Sequence, residues 1–431
     1  MNEKKYYVLS IYMIIISFLF TSYIYSEIYR YSILPEYFLL LQSSLFFLLL
    51  LLTLILIINK VETIYNNTLA IILLLFGFVI KSLVAIININ YKILPNLSDV
   101  AYYNELGLDF SRDLAIQGGV IGAPLYGNII GAVYYFLGAS SVNICLINVF
   151  IYSISSIVLV KICEMFKFDN YNIVLFLLII LPSSFLYIPV ILRESIFLLL
   201  SIIFIYLLIN QFSNNSNYNN INHIYLFILL ILVTLVRPQI FPILLLIYLV
   251  CLIYYKGGLI RLVSSLLFLS LVLIISLSNF TLFQFVSTDL LNLQYFQIYR
   301  NAFSDLPNAY LINISYHDWF DFLSYLPTFI FYFLFAPFPW IANNYNYFMA
   351  TVDSLFSMLI VIFSILVLID NRIRWKSHMF PIILCILAFL IPFSMIEASP
   401  TGAVRHRMLV ILFLLPIFSN CMTFFKIKSK K

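Results

Sequence analysis

Charged residues are scarce in this sequence. Lys, Arg, Asp and Glu make up only 10% of the 431 residues, while 64% are hydrophobic and 18% are aromatic. A soluble domain cannot bury so large a share of apolar side chains, so the composition excludes a soluble protein. We therefore expect a polytopic membrane protein.

The cysteines, the charge distribution and the lack of repeats each exclude a class of site or protein. The five cysteines all lie in or beside apolar runs and show no metal-site spacing, so we expect them to be packing residues. The net charge of +5 comes without a basic patch interleaved with exposed aromatics, which excludes a nucleic-acid footprint. The sequence shows no internal repeat of the kind that many transporters carry.

Apolar runs fill most of the chain, and a spanning helix needs about 20 residues. Twelve runs stand out, near 6–26, 37–58, 68–88, 143–163, 172–191, 195–210, 223–237, 239–255, 262–279, 351–370, 378–396 and 407–425. They predict an all-α polytopic fold of about twelve transmembrane helices, forming a single integral-membrane domain over residues 1–431. An even number of spans puts both termini on the same side.

Two further apolar stretches, 124–139 and 325–340, are short and interrupted by Gly or Pro. If neither spans, 14 Lys and Arg lie on one side and 8 on the other; if both span, the split is 13 to 9. The positive-inside rule favours the larger asymmetry and cytoplasmic termini. We therefore expect interfacial or re-entrant helices in two long outer loops, about 89–142 and 280–350.

Arginine dominates the predicted outer side. Seven of the 8 outer cations are Arg, whereas 11 of the 14 inner ones are Lys. Orientation needs only positive charge, but the planar guanidinium grips phosphate in a bidentate way. We predict phosphate-binding roles for five arginines: Arg193, Arg237, Arg300, Arg405 and Arg407.

The last outer loop carries the most specific local pattern, SPTGAVRHRMLV. Arg405 and Arg407 flank His406 near the start of a predicted helix, where backbone N–H groups also attract anions. Gly402 permits a close approach to the backbone. This pattern predicts an anion site.

Proton transfer has two candidate residues, Asp99 in the first outer loop and His317 in the second. His317 has a suitable ordinary pKa for a general base. The alternatives stay open: Asp99 as a helix N-cap, and His317 as a hydrogen-bonded surface side chain. We expect no cofactor, although Asp109 and Asp113 share a predicted helix face that suits a divalent metal or a general base.

Four segments resemble a class of bacterial surface-polysaccharide enzymes: APLYGNIIGAVYYFLGAS, VILRES, FLFAPFPW and TGAVRHRMLVILFLLP. These enzymes are the polyprenyl-phosphate-dependent glycosyltransferases of the C-type fold and the related O-antigen or capsule repeat-unit polymerases (Wzy-type). Arg300 and His317 are similar in type and setting to outer-loop residues of the related O-antigen ligases.

The resemblance implies an enzyme of the bacterial inner membrane that transfers glycan from a polyprenyl-diphosphate carrier on the periplasmic side. It also implies a chain-length regulator protein as a partner. One alternative is a C-type transferase that adds a single sugar from a polyprenyl-phosphate sugar. The alternative from another class is a lipid-linked oligosaccharide flippase, which also has about twelve spans.

Overall fold

A computed structural model describes most of the chain, and every regular element in it is a helix. The described residues are 35–94, 97–113, 119, 121–137, 139–166, 168, 170–213, 220–256, 297–298, 300–302, 309–312, 314, 316–341, 345–369 and 379–421. The spans predicted near 6–26 and 262–279 lie outside these ranges.

The described residues form sixteen α-helices. In chain order they are α1 (Pro35–Asn59), α2 (Glu62–Tyr65), α3 (Thr68–Tyr91), α4 (Ser98–Asp113), α5 (Ala123–Leu137), α6 (Ser141–Met165), α7 (Tyr171–Ile180), α8 (Pro182–Tyr187), α9 (Glu194–Ser213), α10 (Asn220–Val236), α11 (Phe241–Lys256), α12 (Trp319–Ser324), α13 (Leu326–Phe335), α14 (Tyr345–Ile369), α15 (Met379–Ile396) and α16 (Pro400–Ser419). Short 3₁₀ turns at Pro238–Ile240 and Pro339–Ile341 precede α11 and α14.

Six segments among the described residues are long and apolar enough to cross a membrane. They are Thr68–Tyr91, Ser141–Met165, Glu194–Phe212, Tyr347–Ile369, Met379–Ile396 and Pro400–Ser419. Apolar helices of 10–17 residues accompany them. The chain is therefore a helical membrane protein, as its composition predicts.

Three of the apolar stretches in the sequence form helices shorter than a membrane span. Helix α13 has 10 residues and α5 has 15; at 1.5 Å per residue both fall short of the roughly 30 Å hydrocarbon core. Helix α13 ends where Ala336 turns extended before Pro337, because a residue before proline is disfavoured in a helix. The single span expected near 172–191 is instead two helices, α7 and α8, broken before Pro182.

The chain forms two compact units. The first comprises Met1–Lys161, Leu175–Ile180 and Ser184–Leu199. Within it α4 packs closely against α5 through glycine: a Cβ at Gly131 would overlap the Phe110 ring and one at Gly107 would overlap Ile130. The glycines of the 124–139 stretch, read from the sequence as helix breaks, thus include a helix-packing position.

The second unit comprises Ile162–Val174, Leu181–Ser183 and Leu200–Lys431. Helix α16 packs against α13, α14 and α15 within it. The α16 helix is buried over most of its length, with Phe413 against Phe389 of α15 (5.9 Å between ring centroids). All five cysteines of the chain are free and buried, which confirms them as packing residues.

Candidate functional site

The start of helix α16 organises the candidate site in the second unit. Ser399 caps the helix: its Oγ accepts the N–H of Gly402, and Pro400 occupies the first turn, where its missing N–H costs nothing. Glu397 lies just before the cap. Its carboxylate accepts the backbone N–H of Ser399 at 3.1 Å, so a negative charge lies at the positive end of the helix.

Gly402 makes room for this carboxylate. A Cβ at position 402 would overlap the carboxylate group of Glu397. The close approach predicted for Gly402 is therefore to an anion, but the anion is the chain's own Glu397.

The Glu397 carboxylate also holds a histidine. His406 lies two turns into α16, and its Nδ1 is 2.8 Å from Glu397 Oε2. Because a carboxylate oxygen accepts but does not donate, the Nδ1 atom carries the proton and the neutral ring keeps an acceptor lone pair on Nε2. The ring of Phe393 stacks on the imidazole (5.0 Å between centroids, 10° between planes) and fixes its orientation.

The two partners differ in exposure. The side chain of His406 is 26% exposed, whereas that of Glu397 is 5% exposed. A buried carboxylate that orients a partly exposed imidazole is the arrangement in which histidine acts as a general base.

Two arginines act on this pair. The positive charges of Arg237 and Arg405 both interact electrostatically with the His406 ring. Arg237 is buried and lies at the turn between α10 and the 3₁₀ helix before α11, while Arg405 is partly exposed on the first turns of α16. Two of the five predicted arginines thus act electrostatically on one histidine.

Arg407 has a different environment. Its guanidinium is fully buried and pairs with Asp353 of α14 at 3.0 Å. It also donates to the carbonyls of Leu334 and Ala336 at the end of α13 and to Ser354 Oγ. Cations are favourable at helix C-termini, where carbonyls lack partners. These bonds occupy the guanidinium donors of Arg407 with acceptors of the protein itself.

Arg300 repeats this arrangement at the end of α15. Its Nη1 donates to the carbonyls of Ser394, Met395 and Glu397. The rest of the fork donates to the carbonyls of Tyr310 and Leu311, and the plane lies 4.4 Å from the Phe329 ring centroid. Burial lowers the pKa of Arg300. With five carbonyls bonded, the guanidinium is committed to the protein and does not present the fork that was predicted to bind phosphate.

The remaining predicted residues lie elsewhere. Asp99, in the first turn of α4, and Arg193, just before α9, are both partly exposed residues of the first unit. His317 is exposed at the start of α12. Its neighbour Asp318 caps that helix by accepting the N–H of Asp321, and Asp321 accepts the N–H of His317.

Only one of the two carboxylates considered for a metal has a described side chain. Asp109 is exposed and pairs with Arg112 at 3.7 Å, and the side chain of Asp113 lies outside the described atoms. Among the residues that the structure describes, no three His, Cys, Asp or Glu side chains are grouped to hold a metal ion.

Two important acids were not among the predicted site residues. Asp353 had a detectable signal, since an acid inside an apolar run is costly unless it is paired. Its other oxygen accepts the backbone N–H of Ser183 at 2.8 Å. Glu397 had no such signal, because its pairing with His406 across a helix start follows no periodic spacing.

Comparisons with protein-family models, with curated proteins and with solved structures find no match for this chain.

Proposed function

We propose that this protein is an integral-membrane glycosyltransferase of bacterial surface-polysaccharide synthesis, acting as an O-antigen or capsule repeat-unit polymerase. The observation that carries the proposal is the Glu397–His406 pair with the charges of Arg237 and Arg405 around it. These residues supply a base and two cations in one place. The resemblance of four segments to Wzy-type polymerases supports the same function.

The reaction needs a base for the acceptor and positive charge for the leaving group. His406 Nε2 takes the proton of a sugar hydroxyl as its oxygen attacks the anomeric carbon of the donor glycan. The bond from that carbon to the polyprenyl diphosphate breaks, and the diphosphate leaves with the bonding electrons. Glu397 stabilises the imidazolium that forms, while Arg237 and Arg405 neutralise the departing charge.

This assignment changes the roles predicted from sequence. The general base is His406, in place of Asp99 or His317. Arg237 and Arg405 keep the predicted role toward phosphate. Arg300 and Arg407 are positioning residues, because they hold the ends of α15 and α13 next to the helix that carries His406.

The membrane placement follows the positive-inside rule. Twelve spans cross the inner membrane, one of them formed by the broken pair α7 and α8; both termini are cytoplasmic, and the site faces the periplasm. Helices α5 and α13 are interfacial or re-entrant, because both are too short to cross. The substrate is a polyprenyl-diphosphate-linked oligosaccharide, and a chain-length regulator is the expected protein partner. A C-type single-sugar transferase uses the same base and cations with a smaller donor.

One observation favours a second candidate, a lipid-linked oligosaccharide flippase. Lys81 is a buried cation in the middle of α3, and its Nζ donates to the carbonyls of Leu178 and Ile179 at the broken end of α7. Transporters use buried charges beside interrupted helices in this way.

A surface-polysaccharide gel tests the proposal. A strain lacking the gene is expected to lose the ladder and keep lipid core with a single repeat unit, because export and ligation continue without polymerisation. If no repeat unit appears at all, the choice falls to a flippase or to a transferase that completes the unit.

A variant tests the site itself. Glu397→Gln keeps the size of the side chain but removes the negative charge, so the proton is no longer held on Nδ1. We expect polymer synthesis to fall about 10²–10⁴-fold at unchanged protein level. Glu62→Gln, at an exposed glutamate in the first turn of α2, is the matched control and keeps the full ladder. A normal ladder in Glu397→Gln would refute the role of the pair.

A further inference from the structure

Tyr310 has an unusual environment beside the Glu397–His406 pair. Its side chain is 7% exposed, and its hydroxyl has no hydrogen-bond partner among the described residues. A buried hydroxyl nearly always has a partner, because leaving it unbonded costs the full desolvation of the group. Such a hydroxyl needs an explanation, and a bound ligand that accepts its hydrogen bond would supply one.

Tyr310 is held close to the candidate site by its backbone. The Tyr310 backbone N–H donates to the carbonyl of Ala398, the residue that follows Glu397, at 2.9 Å. The charges of Glu397, Arg300 and Arg407 all act on the Tyr310 side chain. Burial raises the pKa of Tyr310, so the phenol remains a neutral O–H donor.

The segment 309–312 that carries Tyr310 is held over the end of α15 under local strain. Arg300 binds the carbonyls of Tyr310 and Leu311 and so ties the segment down. Leu311 has a φ of 55°, a left-handed conformation that is unfavourable for a leucine. The segment therefore combines a strained backbone with an unbonded hydroxyl.

Aromatic rings lead outward from Tyr310. It stacks on Tyr332 (5.3 Å between centroids), whose ring meets the edge of Phe338 at 5.6 Å. Phe338 stacks in turn on Trp340 at 4.9 Å, and Trp340 is 80% exposed. A sugar ring has an apolar C–H face and polar hydroxyls, so aromatic rings with a few polar groups suit it as a ligand.

We propose that Tyr310 is a substrate-binding residue whose hydroxyl donates to a hydroxyl oxygen of the glycan. This inference rests on the proposed function and adds the class of ligand atom that the site reads. A sugar oxygen fits better than a phosphate oxygen, because the carboxylate of Glu397 repels an anion here and the forks of Arg300 and Arg407 are bonded to carbonyls. The segment 309–312 moves aside as the sugar enters, since the hydroxyl is enclosed in this structure.

Calorimetric titration of the full chain in lipid nanodiscs tests this role with two probes. One is the oligosaccharide released by mild acid from the lipid-linked fraction of the source strain, and the other is inorganic pyrophosphate. Tyr310→Phe is expected to weaken oligosaccharide binding about three- to tenfold and to leave pyrophosphate binding unchanged. Its unfolding temperature is expected to stay equal or rise, because the lost hydroxyl has no partner among the described residues.

Tyr316→Phe is the matched control. Tyr316 is similarly buried, at 6% exposure, but packs against Phe322 and Phe329, so both affinities should stay unchanged. Unchanged oligosaccharide affinity in Tyr310→Phe, beside a wild type that binds, overturns the role of Tyr310. A lower unfolding temperature at unchanged affinity does the same, because it identifies a structural hydroxyl. A wild type that binds no oligosaccharide refutes the proposed function itself.

Discussion

At the scale of single residues, Gly402 sets the geometry of the Glu397–His406 pair. In a helix, Gly→Ala normally stabilises by roughly 0.5–1 kcal/mol. At position 402 the added Cβ overlaps the Glu397 carboxylate, so we expect the opposite sign. Gly402→Ala should displace Glu397, lower the unfolding temperature and reduce polymer synthesis by about 10²-fold or more. Thermal unfolding of the purified variant together with a polysaccharide gel measures both effects.

One outcome would contradict this prediction for Gly402→Ala. If Gly402→Ala raises the unfolding temperature and leaves the ladder intact, the carboxylate does not need the space at the helix start. In that case Glu397 is held elsewhere during the reaction.

Alanine variants of three arginines in the second unit should differ in protein level. Arg405 is partly exposed, so Arg405→Ala should abolish polymer synthesis at normal protein level. Arg407→Ala leaves Asp353 unpaired and uncaps α13, and loss of one partner of a buried ion pair costs about 3–5 kcal/mol. Arg300→Ala uncaps α15 in the same way. Immunoblots of membrane fractions should show low levels of the last two variants and a normal level of the first.

The contrary pattern would restore the original prediction. Normal levels of Arg300→Ala and Arg407→Ala, with synthesis abolished, would mean that the two forks contact substrate. Full activity in Arg405→Ala would remove the phosphate role from the site.

Whether an arginine caps a helix or binds phosphate depends on contacts that the sequence does not reveal. The Arg-rich outer side and the pattern around His406 are visible in the sequence. Three of the five carbonyls bonded to Arg300 are 94 to 97 residues away, and the acceptors of Arg407 lie up to 74 residues away. A guanidinium that caps a helix and one that binds phosphate are the same residue type in the same kind of loop, so only packing distinguishes them.

At the scale of elements, the break between α7 and α8 explains why Lys81 can be buried in α3. Pro182 has no N–H to donate to the carbonyl of Leu178, four residues earlier. Lys81 Nζ donates to that carbonyl at 3.0 Å, and its ammonium lies 4.6 Å from the centroid of the Phe185 ring. The hydroxyls of Tyr152 and Ser184 also donate to the Leu178 carbonyl. The broken helix end is thus satisfied by more than one donor.

This arrangement predicts tolerance of Lys81→Met. The Leu178 carbonyl keeps two hydroxyl donors, and replacing a buried charge by an apolar side chain of similar volume is often nearly neutral. We expect the unfolding temperature to change little and the polysaccharide ladder to stay normal.

Lys81→Ala is the contrasting variant. It enlarges an existing cavity of about 20 Å³ beside Gly77 and should destabilise the protein by about 2–5 kcal/mol. If Lys81→Met keeps a normal unfolding temperature but stops export of repeat units, the flippase becomes the better assignment.

Helix ends were predictable only where proline and glycine determined them locally. Pro337 and the glycines after Ala123 indicated that 325–340 and 124–139 were not ordinary spans, and α13 and α5 are indeed short. The break before Pro182 was missed, because a proline inside an apolar run is compatible with a kinked helix as well as with two helices. The choice depends on donors such as Lys81, which is about a hundred residues away.

At the scale of the whole molecule, topology decides whether the proposed site faces the periplasm. The cation counts favour twelve spans over fourteen, 14 to 8 against 13 to 9. The two arrangements differ in the placement of the chain between α5 and α13. With twelve spans, seven cross the membrane between Lys60 and Phe320, so these residues lie on opposite sides. With fourteen spans, eight cross, and both residues lie on the cytoplasmic side.

Single cysteines at these two positions test the topology. Phe320 is 85% exposed and Lys60 is also exposed, so both thiols are accessible. The five native cysteines are buried and should give little background. In intact cells, an impermeant thiol reagent from the periplasmic side should label Phe320→Cys and leave Lys60→Cys unlabelled until the membrane is permeabilised. Labelling of neither variant before permeabilisation would favour fourteen spans, and labelling of Lys60→Cys alone would invert the protein and place His406 on the cytoplasmic side.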